Sequence, residues 1–112
     1  MNIIRNLFER KQRLTKKSEF ASMYASGSKR TVGPLLIHRK DNSLGYSRLG
    51  LSIPKRTGNA VTRNRMKRLC REAFRLSQHN NPIGIDVLIT IRPHDLKELT
   101  EYIDFISKGL EQ

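Results

Sequence analysis

The chain has 112 residues, 37% apolar and 29% charged, which suits one domain with a modest core. A single cysteine, Cys70, excludes an internal disulfide and a multi-cysteine zinc site, and no apolar run approaches the roughly 20 residues of a membrane span. The net charge of +12 is unevenly placed, because residues 1–75 hold 19 basic and 4 acidic side chains whereas residues 76–112 hold 3 and 6. Such segregation predicts a polyanionic partner, and nucleic acid is the commonest in the cytosol.

Residues 1–14 are predicted to form a basic, mobile lead-in to the folded domain. Charged side chains interrupt its apolar residues, so the segment is no secretory signal. A mitochondrial presequence is the alternative, but the start of a bacterial cytosolic protein is favoured. Together with the single cysteine, this predicts a cytoplasmic protein.

A short helix is predicted next, near residues 17–25. Thr15 and Ser18 are candidate N-caps, and Gly27 is a natural residue for the helix end. Three large side chains share one face of this helix at i, i+3 and i+4 spacing, namely Phe20, Met23 and Tyr24.

Two strands are predicted between this helix and the middle of the chain. The first runs from Arg30 to Lys40, and the Gly33-Pro34 pair inside it indicates an edge position or a bulge. Turn-forming residues follow at 41–45, and the alternating residues 48–53 return as a second strand.

The second half of the chain predicts a long helix, a buried strand and a final helix. The long helix runs from about Asn59 to about Gln78, and residues 85–91 (IDVLITI) are apolar enough to form a central strand. The apolar side of the long helix gathers Met66, Leu69, Cys70, Ala73, Phe74 and Leu76. The C-terminal helix buries Leu96, Leu99, Ile103, Ile106 and Leu110 and carries most of the acids. The order α-β-β-α-β-α predicts an α+β sandwich with a small, mostly antiparallel sheet.

The long helix and the turn before it carry the strongest chemical signal. Residues 55–75 hold eight basic side chains, most of them arginines, against one acid, Glu72. A solvated helix face with ordinary ion pairs is the alternative, but like charges recur at successive i+4 positions, namely Arg63, Lys67, Arg71 and Arg75. Such repulsion is usually offset by an external anion, and guanidinium groups suit phosphates and bases. The pattern therefore predicts binding of RNA or DNA.

The centre of this segment is similar to a known family. The stretch Gly58-Asn59-Ala60-Val61-x-Arg63-Asn64-Arg65-x-Lys67-Arg68-x-x-Arg71-Glu72 resembles the RNR signature of bacterial ribonuclease P protein subunits. Its flanks agree, with Arg13-Leu14, Glu19-Phe20 and Arg48-Leu49-Gly50-Leu51-Ser52 in order before it. The resemblance implies a single domain over residues 1–112 with a fold like that of a ribosomal protein domain. It also implies a left-handed βαβ crossover, although about 98% of such connections are right-handed.

The resemblance implies a protein that joins a catalytic RNA and helps it remove the 5′ leader from precursor transfer RNA. Its partners would be the ribonuclease P RNA and that leader, with no membrane and no obligate protein partner. Mg²⁺ would act through the RNA subunit rather than on the polypeptide, which shows no clustered carboxylates. A ribonuclease built on paired histidines is the alternative, but the three histidines fall in different elements, namely His38, His79 and His94.

Two sets of site residues follow from the resemblance. The RNA subunit would contact Lys55, Arg56, Asn59, Arg63, Asn64, Arg65, Lys67, Arg68 and Arg71. The single-stranded leader would contact Phe20, Tyr24 and His38, because unpaired bases stack on flat side chains without sequence preference. Core packing is the alternative for Phe20, whereas the hydroxyl of Tyr24 favours a wet rim.

Two other classes of nucleic-acid-binding protein fit part of the pattern. A ribosomal or ribosome-associated protein would share the size and the basic helix. A DNA-binding regulator would need a helix-turn-helix or a dimer seam, and neither pattern is present.

Overall fold

The computed structural model describes residues 12–77 and 84–111. Its elements, in chain order, are α1 (Lys17–Ser26), β1 (Ser28–Val32), β2 (Leu35–Asp41), β3 (Arg48–Ser52), α2 (Ala60–Ser77), β4 (Ile85–Ile91) and α3 (Leu99–Gly109), with a 3-10 turn at Lys55–Thr57. The predicted α+β class is confirmed. Residues 1–11 of the predicted lead-in, the end of the long helix at Gln78, and His79 lie outside the described residues.

The strands form one sheet in the order β1-β2-β4-β3, with β4 central as its apolar sequence predicts. Pairing is antiparallel for β1 with β2 and for β2 with β4, and parallel for β3 with β4. The prediction of one strand over residues 30–40 is wrong, because that region forms the hairpin β1–β2. Gly33 has a φ of 57° and, with Pro34, closes a turn between the paired Val32 and Leu35.

Helices cover both faces of the sheet. The larger core lies under α2 and α3 and contains Leu35, Ile37, Leu49, Met66, Cys70, Ala73, Phe74, Ile85, Val87, Ile89, Ile91, Tyr102, Ile106 and Leu110. The smaller core lies under α1, where Leu14, Met23 and Leu88 are buried and Phe20 packs against them. Because side chains alternate along a strand, β4 supplies residues to both cores.

Three details of the helices differ from the predictions. The N-cap of α1 is Lys16 rather than Thr15 or Ser18, and the Glu19 carboxylate accepts the backbone N–H of Lys16 at 3.2 Å. On α2, Ser77 is buried in place of Leu76, which is 40% exposed. Leu96 precedes α3 and is also 40% exposed.

The β3–α2–β4 connection is left-handed. The Leu49 side chain packs in the core with α2, while its carbonyl accepts the Leu14 N–H at 2.8 Å on the outer edge of β3. Consider β3 viewed from the α2 side, with the chain running upward and the Leu49 side chain toward the viewer. For an L-residue in a strand, the carbonyl of Leu49 then points to the right, which is the outer edge of the sheet. Strand β4 therefore lies to the left of β3. The crossover therefore has the hand that the resemblance implies and opposes the general rule. Arg13 and Leu14, predicted within the lead-in, belong to the domain because they pair with this edge.

Candidate nucleic-acid interface

One side of α2 is a basic surface, and its other side is the buried face. Asn64, Arg65 and Arg68 are exposed on the helix, and Arg63, Lys67 and Arg71 are half-buried beside them. Lys55, Arg56 and Asn59 are exposed in the segment that leads into the helix. The structure thus places these nine predicted RNA-subunit residues on one helix and the turn before it, and we call them the basic stripe.

The start of α2 is fixed by side-chain hydrogen bonds. Asn59 Oδ1 accepts the backbone N–H of Thr62 at 2.9 Å, so Asn59 caps the helix as the sequence predicts. Arg63 Nε donates to the carbonyl of Gly58 at 3.0 Å. These bonds hold the first turn and place Arg63 close to the glycine that precedes α2.

The charges along α2 are only partly compensated. Arg75 pairs with Glu72, with Nε and Oε1 3.0 Å apart, and the hydrogen bond from Arg75 holds the pKa of Glu72 below its ordinary value. Arg71, in contrast, lies near other cations: burial lowers its pKa, and the charges of Arg13 and Arg68 lower it further. An anion bound here would relieve that repulsion, whereas Arg75 already has its counter-ion.

The strand register arranges the α1 face of the sheet in three rows. The first row contains Arg48, Asp86 and Lys40, the second Gly50, Leu88 and His38, and the third Ser52, Thr90 and Leu36. Glu19 and Ser22 of α1 contact the first row. The apolar side of α1 lies over the second row, and the third row is partly exposed. The third row is therefore the open part of the sheet beside α1, and we call this row, with the side of α1 that faces it, the α1 groove.

The predicted leader residues lie along this groove. Phe20 is half-buried over Gly50, where an added Cβ would lie 2.9 Å from Phe20 Cε1. Tyr24 is 51% exposed and its ring meets that of His38 edge-on, with centroids 5.1 Å apart. Phe20 therefore packs against the smaller core while keeping part of its ring at the groove, and Tyr24 forms the rim.

Two buried polar atoms near the groove have no hydrogen-bond partner among the described residues, His38 Nδ1 and Thr90 Oγ1. Such atoms normally find a partner, and leaving one unpaired costs about 1–3 kcal/mol. Burial, followed by the charge of Lys29, lowers the pKa of His38, which favours a neutral ring at pH 7. Thr90 is not among the residues predicted for this site, although it is the one hydroxyl in IDVLITI and shares a strand face with Leu88.

The basic stripe and the α1 groove meet at the outer edge of β3. A cavity of about 260 Å³ there is lined by Arg13, Leu14, Thr15, Phe20, Leu49, Leu51, Lys67 and Arg71. Its cations come from the basic stripe and from the segment before α1, and its ring comes from the groove. The cavity therefore joins the two surfaces and carries three cations, Arg13, Lys67 and Arg71.

The described residues hold no group of three or more histidine, cysteine, aspartate or glutamate side chains that could bind a metal ion. The two described histidines lie in separate places, since His38 meets Tyr24 and His94 Nε2 lies 2.7 Å from the hydroxyl of Tyr102. Within the same ranges, no helix is both long and apolar enough to cross a membrane.

Comparison with known proteins gives one consistent family. A family model described as Ribonuclease P matches residues 8–108. The chain is 41% identical over 87 residues to the ribonuclease P protein component of Legionella pneumophila strain Corby, covering 77% of this chain and 74% of the relative. The chain is also 38% identical over 104 residues to the ribonuclease P protein component of Macrococcus caseolyticus, covering 92% of this chain and 87% of the relative.

Two solved structures resemble the fold closely. One is a Staphylococcus aureus RNase P protein mutant with defective mRNA degradation activity, with a TM-score of 0.81 and 26% identity over 95% of this chain and 91% of that one. The other is the RNase P protein from Thermotoga maritima, with a TM-score of 0.79 and 24% identity. That match covers 88% of this chain and 94% of the Thermotoga maritima chain.

Proposed function

Because the chain belongs to the ribonuclease P protein family and acts with ribonuclease P RNA in an endoribonuclease complex, we propose how its surfaces divide the work. The basic stripe binds the RNA subunit. The α1 groove binds the 5′ leader of precursor transfer RNA. The RNA subunit, with its Mg²⁺, carries out the cleavage, and the polypeptide contributes binding only.

The charge pattern of α2 supports its assignment to the RNA subunit. Arg65 and Arg68 are exposed on the same helix as the half-buried Arg71, whose pKa is lowered first by burial and then by the charges of Arg13 and Arg68. Phosphates are the partners that offset such crowding, and a folded RNA presents them at high density. The basic stripe therefore suits a structured RNA held through its backbone.

The α1 groove suits a single strand rather than a duplex. Tyr24 offers an exposed ring for stacking, and Phe20 keeps a partly exposed ring on the same side of α1. Stacking is worth about 1–3 kcal/mol per base and tolerates any sequence, as a leader of variable sequence requires. The pairing of this groove with the basic stripe on one small domain is the observation that carries the proposal.

Reconstitution tests the division of labour. The protein is added to a bacterial ribonuclease P RNA at low Mg²⁺, and cleavage of precursor transfer RNA is followed. We expect the protein to restore cleavage, because its cations reduce the repulsion between the two RNAs. Nuclease-treated protein without the RNA subunit is the control and should be inactive; cleavage by that preparation would contradict catalysis by the RNA.

A ribosomal role is the second candidate, favoured only by the basic α2. Recovery of RNA bound to the protein in cells distinguishes the two. Ribonuclease P RNA and leader-bearing precursors support the proposal, and enrichment of ribosomal RNA without them supports the alternative.

A further inference from the structure

Helix α1 is joined to the sheet by polar contacts on one side and by apolar contacts on the other. Glu19 and Ser22 lie on the polar side, Met23 points at the sheet, and Phe20 and Tyr24 lie on the groove side. With 3.6 residues per turn, these five side chains span a continuous arc of roughly 200° around the helix. A rotation of α1 that breaks the polar contacts would therefore also move the two rings.

The first polar contact is made by an arginine that the sheet itself holds in place. Arg48 donates from Nε and Nη2 to the two carboxylate oxygens of Asp86, at 2.8 and 2.7 Å. Its remaining nitrogen, Nη1, donates to Glu19 Oε2 of α1 at 3.2 Å. Because a two-bond fork fixes the plane of the guanidinium group, the direction of Nη1 is set before α1 is considered.

Asp86 is ionised, and a second side chain, that of Asn42, also donates a hydrogen bond to it. Burial alone would raise the pKa of Asp86, but hydrogen bonds from Arg48 and Asn42, with the charges of Arg48 and Lys40, hold it below the ordinary value. Asn42 Nδ2 donates to Asp86 Oδ1 at 2.8 Å, and Asn42 Oδ1 accepts the N–H of Leu44 in the turn before β3. The pair of hydrogen bonds between Arg48 and Asp86 is therefore held by the turn before β3 as well as by the strands.

The second polar contact lies one turn further along α1. Lys40 Nζ, from the same row of the sheet, donates to Ser22 Oγ at 2.6 Å. Two contacts about 4.5 Å apart along the helix axis limit both its rotation and its slide over the sheet. With the rotation of α1 fixed in this way, the groove side of the helix holds Tyr24 against His38.

We propose that Arg48, fixed by Asp86, is a positioning residue for leader binding: through Glu19 it sets the rotation of α1 and so holds Tyr24 over the α1 groove. The proposal rests on the leader site proposed above. Arg48 itself lies in the row beneath the polar side of α1, away from the groove floor, so its effect on the leader is exerted through the helix.

The substitution Glu19→Gln isolates this contact. Glutamine retains an oxygen that can accept the backbone N–H of Lys16, but it has no charge to attract Arg48. The matched control is Glu101→Gln, because Glu101 occupies the same capping position in α3 and accepts the Glu98 N–H at 3.0 Å. Removing Arg48 is avoided, since it would leave Asp86 as a buried unpaired charge.

The readout is the affinity of the reconstituted holoenzyme for precursors with a long leader and with a one-nucleotide leader. We expect Glu19→Gln to weaken binding of the long leader about two- to fivefold, as the loss of one partly buried ion pair allows, and to leave the short leader unchanged. Affinity for the RNA subunit should stay constant, and Glu101→Gln should change neither. Equal affinities of Glu19→Gln and the parent protein for the long leader would overturn the proposal.

A double-mutant cycle separates positioning from general loss of stability. If Glu19 acts through Tyr24, then Glu19→Gln should cause no further loss in a Tyr24→Ala background. A loss that persists in full there would assign Glu19 a separate, merely structural effect. If Tyr24→Ala shows no leader-dependent loss, the leader site itself is wrong, which is a different failure.

Discussion

Arg75 of α2 has an acidic partner on the same helix, and Arg68 is exposed in the basic stripe. Arg75 has its charge balanced by Glu72, whereas Arg68 lies near Arg71, whose pKa is lowered by burial and further by the charges of Arg13 and Arg68. If the basic stripe binds RNA phosphates, Arg68→Ala should weaken binding of the RNA subunit and reduce the salt slope of log K by about 0.7–0.9. Arg75→Ala is the control and should leave the slope nearly constant. Equal slopes for the two variants would assign the stripe to another partner.

His38 gives a prediction on pH. Its pKa is lowered by burial and by Lys29, so on acidification the unfolded chain binds a proton first. Stability is therefore fully present above the ordinary histidine value of 6.5 and is lost as the pH falls below it toward the folded pKa. Thermal melts between pH 7.5 and 5 should show this loss in the parent protein and a smaller one in His38→Gln. Both proteins keep His79 and His94, so parallel profiles would contradict the lowered pKa.

At the scale of elements, α2 begins at a residue with two candidate roles. Asn59 caps the helix, and it is also a predicted contact of the RNA subunit. Asn59→Ala should reduce the free energy of unfolding by about 1 kcal/mol, whereas Asn59→Ser should retain most of it, because serine also caps well. Denaturant unfolding measures both. If the two variants nevertheless lose RNA affinity equally, Asn59 contacts RNA directly in addition to capping the helix.

The elements that the sequence predicts well are those with strong local signals. Helix α2 and strand β4 follow from apolar periodicity, and Gly27 ends α1 near the predicted residue. The sequence does not predict the hairpin β1–β2, because Gly33-Pro34 is compatible with a two-residue turn and with a bulge, and only the strand pairing distinguishes them. The position of β4 between β2 and β3 is equally non-local, since it depends on which strand edges pair across the length of α2.

The candidate site was predictable to a different extent on its two sides. The basic stripe is one continuous segment, so its charge pattern is visible in the sequence. The groove is assembled from three strands and a helix, and its floor residue Thr90 is recognisable only from the register that puts it beside Leu36. The contact between Arg48 and Glu19 spans 29 positions of the chain, and no local pattern indicates it.

At the scale of the whole molecule, the left-handed crossover separates the two surfaces that we propose to bind RNA. It places α2 on the sheet face opposite α1, next to the edge strand β3. The basic stripe and the α1 groove therefore lie on different faces and still meet at the cavity beside Lys67 and Arg71. Because the sheet lies between Tyr24 and Arg68, we expect a substitution at either residue to affect one surface only.

The most direct test of this separation compares Tyr24→Ala with Arg68→Ala in one experiment. For each variant, affinity is measured for the RNA subunit alone and, in the holoenzyme, for precursors with long and one-nucleotide leaders. Tyr24→Ala should retain RNA-subunit affinity and weaken only the long-leader precursor, by about 1 kcal/mol or more. Arg68→Ala should weaken the RNA subunit and leave the ratio of long-leader to short-leader affinity unchanged. Loss of both affinities in both variants would contradict two separate surfaces.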